Sequence, residues 1–127
     1  TAYISKAAAI GSGCYVSPGA IIDSCANVGS HVIILFHSVV SRFVEVGPYT
    51  FISATVNIVG NYKIGKGNYL GAKATVSANL GDYIFVNSSS YIKNNIPSYS
   101  IVDVETQSRL LEIGSLKKMQ RGLMVIK

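Results

Sequence analysis

Every sixth residue from Ile4 to Val76 is aliphatic: Ile4, Ile10, Val16, Ile22, Val28, Ile34, Val40, Val46, Ile52, Ile58, Ile64, Leu70 and Val76. Ile, Leu and Val together make up 36 of the 127 residues, so thirteen hits at thirteen positions reflect a constraint rather than composition. A period of six is neither the 3.6 of a helix nor the 2 of a half-buried strand. It is the period of a solenoid in which each short unit places one aliphatic side chain on an inner axis. Stacked coils then bury what no single unit could.

The flanking slots carry the same period. Two residues before each aliphatic stand small or β-branched residues, among them Ala8, Cys14, Ala20, Ala26, Val32, Ser38, Val44, Thr50 and Val56, which suits a second inward position. The slot after the aliphatic holds Gly11, Gly29, Gly47, Gly65 and Gly71, with serines between them. This placement predicts glycines that relieve positive φ at the corners. Each hexad then reads as one short strand plus one corner, and three hexads as a triangular coil of 18 residues. The phase slips once, with Leu80 four residues after Val76 before Val86 and Ile92 restore the step of six. A corner shortened by two residues explains the slip, and the regular pattern ends near Ile96-Pro97. From Glu105 the apolar residues Leu110, Leu111, Leu116, Met119 and Leu123 adopt roughly helical spacing. The expected division is a β-solenoid over residues 1–102 and a helical cap or tail over residues 103–127. The cap would cover strand edges that an open solenoid end leaves unpaired.

At this length the chain is one domain, and no apolar run approaches the ~20 residues of a membrane helix. No membrane or nucleic-acid partner is expected. The net charge is +5, with Lys117, Lys118, Arg121 and Lys127 near the end, where a solvated helix face competes with a site for an anionic partner. Cys14 and Cys25 sit in neither a CxxC nor a Cys/His cluster, so no metal is expected. They read as buried free thiols in a reducing, cytoplasmic compartment.

The run Asn61-Tyr62-Lys63-Ile64-Gly65-Lys66-Gly67-Asn68-Tyr69-Leu70-Gly71-Ala72, with Leu80-Gly81-Asp82-Tyr83 and Lys93-Asn94-Asn95-Ile96-Pro97 after it, resembles the hexapeptide-repeat acyltransferases. It is most similar to the sialic-acid O-acetyltransferase and UDP-amino-sugar N-acetyltransferase group. The resemblance covers residues 1–102. It implies an all-β, left-handed parallel β-helix with a short C-terminal α-helix, assembled as a homotrimer. It also implies acetyl-CoA, or another acyl-CoA, as co-substrate in the groove between protomers. The acceptor would be a sugar or nucleotide-sugar whose amine or hydroxyl attacks the thioester. Members carry a nucleotide-sugar-binding domain before the β-helix, and none precedes Thr1 in this sequence.

The resemblance also assigns residues. Ser41-Arg42-Phe43 stands where the family has a histidine base between two acids, so Arg42 occupies the base position. A guanidinium stays protonated and cannot serve as a base. Phe51 replaces a second family histidine. Gly60-Asn61 corresponds to the Gly-Asn whose backbone N–H steadies the oxyanion, with Gly60 as the oxyanion amide. Phe51, Asn61, Gly71, Ala72 and Lys93 are the positions that would meet the acyl-CoA. Of the two histidines, His31 reads as an ordinary corner residue. His37 is either a solvated corner residue or a relocated base. Phe36, Phe43, Tyr49 and Phe51 are expected to form one outward aromatic set, for trimer packing or for a sugar or pantetheine wall. The leading expectation is an acyl-CoA-dependent sugar acyltransferase. The alternative is a catalytically impaired trimeric β-helix that binds or scaffolds.

Overall fold

The computed structural model describes residues 1–103. The expected C-terminal helix and its basic residues lie outside the described residues. Sixteen two-residue strands follow one another: β1 (Tyr3–Ile4), β2 (Ala9–Ile10), β3 (Tyr15–Val16), β4 (Ile21–Ile22), β5 (Asn27–Val28), β6 (Ile33–Ile34), β7 (Val39–Val40), β8 (Glu45–Val46), β9 (Phe51–Ile52), β10 (Asn57–Ile58), β11 (Lys63–Ile64), β12 (Tyr69–Leu70), β13 (Thr75–Val76), β14 (Phe85–Val86), β15 (Tyr91–Ile92) and β16 (Ile101–Val102). They wind through three parallel sheets. Face A has the order β1-β4-β7-β10-β13-β15, face B β2-β5-β8-β11, and face C β3-β6-β9-β12-β14-β16. The result is a parallel β-solenoid of six turns, as the hexads predict.

Each strand pairs with the strand one coil on, so Tyr3 lies beside Ile21 and Ile58 beside Val76, a register of 18 residues. The aliphatic of every hexad from Ile22 to Ile92 is buried on the axis. Burying one such side chain contributes about 1.5–3 kcal/mol. The first coil has no coil before it, and Ile4 is accordingly 43% exposed.

The corners differ from the sequence expectation in a specific way. Positive φ falls three residues before the aliphatic, at Gly13, Gly19 and Gly67 but also at eleven non-glycine residues, including Cys25, His31, His37, Phe43, Tyr49, Thr55 and Asn61. Glycines in the slot after the aliphatic serve another purpose. A Cβ on Gly47 would stand 2.5 Å from the carbonyl carbon of Gly65 on the next coil, so this slot needs glycine for close approach of two backbones. The left-handed corners are held by hydrogen bonds to the preceding coil, such as Tyr49 N–H to the Ser30 carbonyl at 3.0 Å and Thr55 N–H to the Phe36 carbonyl at 3.0 Å.

The phase slip is also larger than one event. Leu80 bridges Ile64, and Ile96 bridges Leu80, so two successive coils lose two residues at the corner from face A to face B. Their strands pair at a register of 16, Tyr69 with Phe85 and Thr75 with Tyr91. The solenoid continues past Ile96-Pro97 to β16, which pairs with β14. Pro97 does not stop it, because the N–H in this slot serves only the coil that follows, as Gly81 N–H does in reaching the Ile96 carbonyl at 2.9 Å.

Where the coils shorten, asparagine side chains replace turn carbonyls: Asn79 Oδ1 accepts from Lys63 N–H at 2.8 Å and Asn95 Oδ1 from Asn79 N–H at 2.9 Å. Full-length coils are also tied by inward polar groups: Ser38 Oγ accepts from Val56 N–H at 3.1 Å at the edge between faces C and A, and Thr50 Oγ1 from Asn68 N–H at 3.4 Å at the edge between faces B and C. Buried Asn68 continues the Thr50 column. Its Oδ1 accepts from Ile84 N–H at 2.7 Å, and its Nδ2 donates to the Gly65 and Gly81 carbonyls at 3.0 and 2.9 Å. Cys14 belongs to the same column, its Sγ donating to the Gly29 carbonyl at 3.1 Å. The thiols are not both buried as expected: Cys14 is half-buried, and Cys25 is exposed at a corner with φ of 60°.

Two stability effects follow. Asn68→Ala strands the buried Ile84 N–H and the Gly81 carbonyl, while Thr50 Oγ1 still donates to the Gly65 carbonyl. A loss of about 3 kcal/mol is expected in urea unfolding, since each unsatisfied buried group costs roughly 1–3 kcal/mol. Thr55 is a β-branched residue at φ of 60° with an exposed side chain. Thr55→Gly is expected to stabilise by up to about 1 kcal/mol, the left-handed penalty of roughly 1–2 kcal/mol less the entropy cost of glycine, whereas Thr55→Val gains nothing.

Candidate functional site

The register of 18 decides which corner residues meet. At the edge between faces A and B, Ser24, Arg42 and Gly60 lie one above another on three successive coils. Asp23 lies under Ser41, and Cys25 under Phe43 and Asn61. Asp23 N–H reaches the Val40 carbonyl at 2.9 Å and Ser41 N–H the Ile58 carbonyl at 3.2 Å, which locks the stack. Asp23, Ser41, Arg42, Phe43, Gly60 and Asn61 line one open cavity of about 460 Å³. Three of the residues named from the sequence, Arg42, Gly60 and Asn61, therefore converge.

The two amides of Gly60-Asn61 are not equivalent. Asn61 N–H is committed to the Arg42 carbonyl at 3.0 Å. Gly60 N–H, like that of Arg42 on the coil before, makes no hydrogen bond among the described residues. This slot, two after the aliphatic, has a free N–H at most corners, which is why Pro18 and Pro48 are tolerated in it. Gly60 and Arg42 both line the cavity, which sets their free amides apart from the equivalents at other edges. Arg42 is exposed, with five guanidinium donors and no acceptor, which suits an anionic group.

Asp23 escaped the sequence reading. Its half-buried carboxylate accepts from Ser24 N–H through Oδ1 at 2.7 Å. The signal was present in the spacing, because 23 and 41 differ by one coil and Ser41 opens the triplet that aligns with the family base. A hexad alignment alone compares residues along the chain and passes over those stacked across it.

Other expected site residues lie elsewhere. His37 stands at the corner between faces C and A with φ of 62°, at the far end of β7 from Arg42, and it does not line the Arg42 cavity. Its ring lies over Gly19 and meets Phe36 edge-on at 5.8 Å. His31 is stacked flat on Tyr49 at 5.0 Å, in keeping with a corner role. Gly71 and Ala72 also lie at the edge between faces C and A. Lys93 lies on the edge shared by Arg42 but two coils beyond Gly60. There it lines a separate cavity of about 210 Å³ with Tyr91, Ile92, Asn94 and Ile96. Phe51 is on face C.

The expected aromatic set is dispersed. Phe36, Phe43 and Tyr49 occupy three different edges, because residues six or seven apart fall on successive corners of the triangle. The observed aromatic stack on a sheet runs along face C instead, Phe51 on Tyr69 at 5.4 Å and Tyr69 on Phe85 at 4.8 Å. Tyr15, Ile33 and Ile101 continue this face as exposed apolar side chains. Among the described residues, no group of three or more His, Cys, Asp or Glu side chains could hold a metal, and no helix is long and apolar enough to cross a membrane.

No family model and no curated protein matches the chain. Solved structures do. PerB from Caulobacter crescentus, in complex with CoA and GDP-perosamine, is 20% identical with a TM-score of 0.53, over 81% of this chain and 51% of that one. Serine acetyltransferase isoform 3 from Entamoeba histolytica, in complex with cysteine, is 21% identical with a TM-score of 0.52, over 81% of this chain and 42% of that one. The UDP-N-acetylglucosamine O-acyltransferase LpxA from Moraxella catarrhalis is 13% identical with a TM-score of 0.51, over 80% of this chain and 62% of that one. The chain spans about half the length of these structures. The likeness shows the fold, a β-solenoid of the kind built by the hexapeptide-repeat acyltransferases.

Proposed function

We propose that this chain is the β-helical part of an acyl-CoA-dependent acyltransferase that acetylates the amine or hydroxyl of a sugar or nucleotide-sugar. The observation that carries the reading is the cavity at the edge of faces A and B, where the Gly60 amide remains free beside Arg42 and Asn61. The acceptor nitrogen or oxygen attacks the thioester carbonyl, and the Gly60 N–H donates to the oxygen as it gains charge. Such a donor contributes about 10²–10³ in kcat. Arg42 is assigned to an anionic group of the acceptor or of CoA rather than to proton transfer. The acyl-CoA positions implied by the resemblance, Phe51, Asn61, Gly71, Ala72 and Lys93, lie on more than one face of a single protomer. One extended CoA could meet them all only in a groove between copies, which fits the expected homotrimer.

A second reading, a binding or scaffolding β-helix without turnover, is favoured by Arg42 at the base position. One assay separates the two. The protein is mixed with acetyl-CoA and a panel of UDP- and GDP-linked amino sugars, and release of the CoA thiol is followed. Turnover with at least one acceptor is expected. Absence of thiol release together with absence of calorimetric heat for CoA would leave the scaffold reading standing. Gly60→Pro provides the sharper probe, since Pro48 shows that this slot accepts proline while the N–H is removed. The variant is expected to keep its melting temperature within a few degrees and to lose about 10²–10³ in kcat, with Gly60→Ala much less affected.

A further inference from the structure

We infer that Asp23 is the general base for acyl transfer, an assignment that rests on the acyltransferase reading above. A base is required, because an acceptor amine or hydroxyl must lose a proton as it bonds to the thioester carbonyl. The aligned position holds Arg42, which cannot accept one. His37 is at another edge of the triangle. Within the cavity that contains the free Gly60 amide, Asp23 is the one side chain able to accept a proton at neutral pH, since Ser41, Phe43 and Asn61 are not basic and Arg42 is already protonated.

The distances agree with this role. The level of Asp23 lies two coils from that of Gly60, and coils stack about 4.8 Å apart, so roughly 10 Å separates the two backbones along the edge. A chain from carboxylate through attacking atom, carbonyl carbon and oxyanion to the amide nitrogen contains two hydrogen bonds and two covalent bonds, spanning up to about 8 Å. Asp23 and Gly60 line the same cavity, so a substrate held in it lies between carboxylate and amide. Oδ1 is held by Ser24 N–H at 2.7 Å, which fixes the carboxylate and leaves Oδ2 for the substrate. The charged side chains around it are Arg42 in the cavity and Lys6, which occupies the equivalent corner on the preceding coil.

The step balances. The acceptor N–H or O–H bond breaks, its proton passes to Asp23 Oδ2, and the new N–C or O–C bond forms at the acyl carbon. As the tetrahedral intermediate collapses, the C–S bond breaks and CoA leaves as the thiolate, which takes a proton from the acid form of Asp23 or from water.

Asp23→Asn is the direct test, because the amide retains Oδ1 as an acceptor for Ser24 N–H and keeps the volume. With the acceptor identified in the thiol-release assay, kcat/KM is expected to fall 100-fold or more, the usual range for a positioned base. The calorimetric Kd for acetyl-CoA is expected to stay within about twofold. Formate should restore part of the rate to Asp23→Ala. A parent that turns over while Asp23→Asn remains within threefold of it overturns the assignment and leaves the acyltransferase reading intact. The assignment fails equally if His37→Ala, and not Asp23→Asn, abolishes turnover. A parent inert toward every acceptor removes the acyltransferase reading and the base together.

Discussion

The parallel register between successive coils is the constraint on which everything else in this molecule rests. A two-residue strand is far too short to be stable alone, and it persists because its neighbours one coil before and one coil after share its hydrogen bonds. The same stacking seals an aliphatic axis against water. It also holds eleven non-glycine corners in the left-handed region, a conformation that costs an isolated residue about 1–2 kcal/mol. Nine of the eleven offset that cost with an N–H bond to the preceding coil, Cys25 and His37 being the exceptions.

A solenoid built on register can change its period only where something replaces the missing hydrogen bonds. Two residues are lost at the corner from face A to face B in each of the last two coils, where the Asn79 and Asn95 side chains accept from Lys63 and Asn79 N–H. At the next corner the buried Asn68 amide makes three hydrogen bonds, two of them to the following coil. Ser38 and Thr50 reach across coils in the same manner at full length. These inward polar groups are buried and satisfied, so they bind coils together rather than weaken the core.

The same register creates the candidate site. Residues 18 apart stack along an edge, and one edge thereby collects a carboxylate, a guanidinium and a free amide from three different coils. None of these groups is close in sequence to all the others. Faces B and C receive quite different surfaces from the same rule: a polar column led by Asn27, Glu45 and Lys63, and a stacked aromatic column through Phe51, Tyr69 and Phe85.

The hexad series by itself determined the solenoid, the identity of the axis residues and the 18-residue coil, because burial of one aliphatic per unit is a periodic requirement written directly into the chain. It also located Arg42, Gly60 and Asn61 as residues of interest through resemblance. The tertiary structure alone decided where positive φ falls, since glycines required for close backbone approach at Gly47 look the same in sequence as glycines required for a turn. It alone separated Phe36, Phe43 and Tyr49 onto different edges, put His37 away from Arg42, showed the second shortened coil, and brought Asp23 into the cavity. The physical reason is common to these cases. Sequence period specifies which residues point inward, whereas chemistry at the surface depends on which corners stack, and that is set by hydrogen bonds between coils, whose length changes from 18 to 16 residues along the chain.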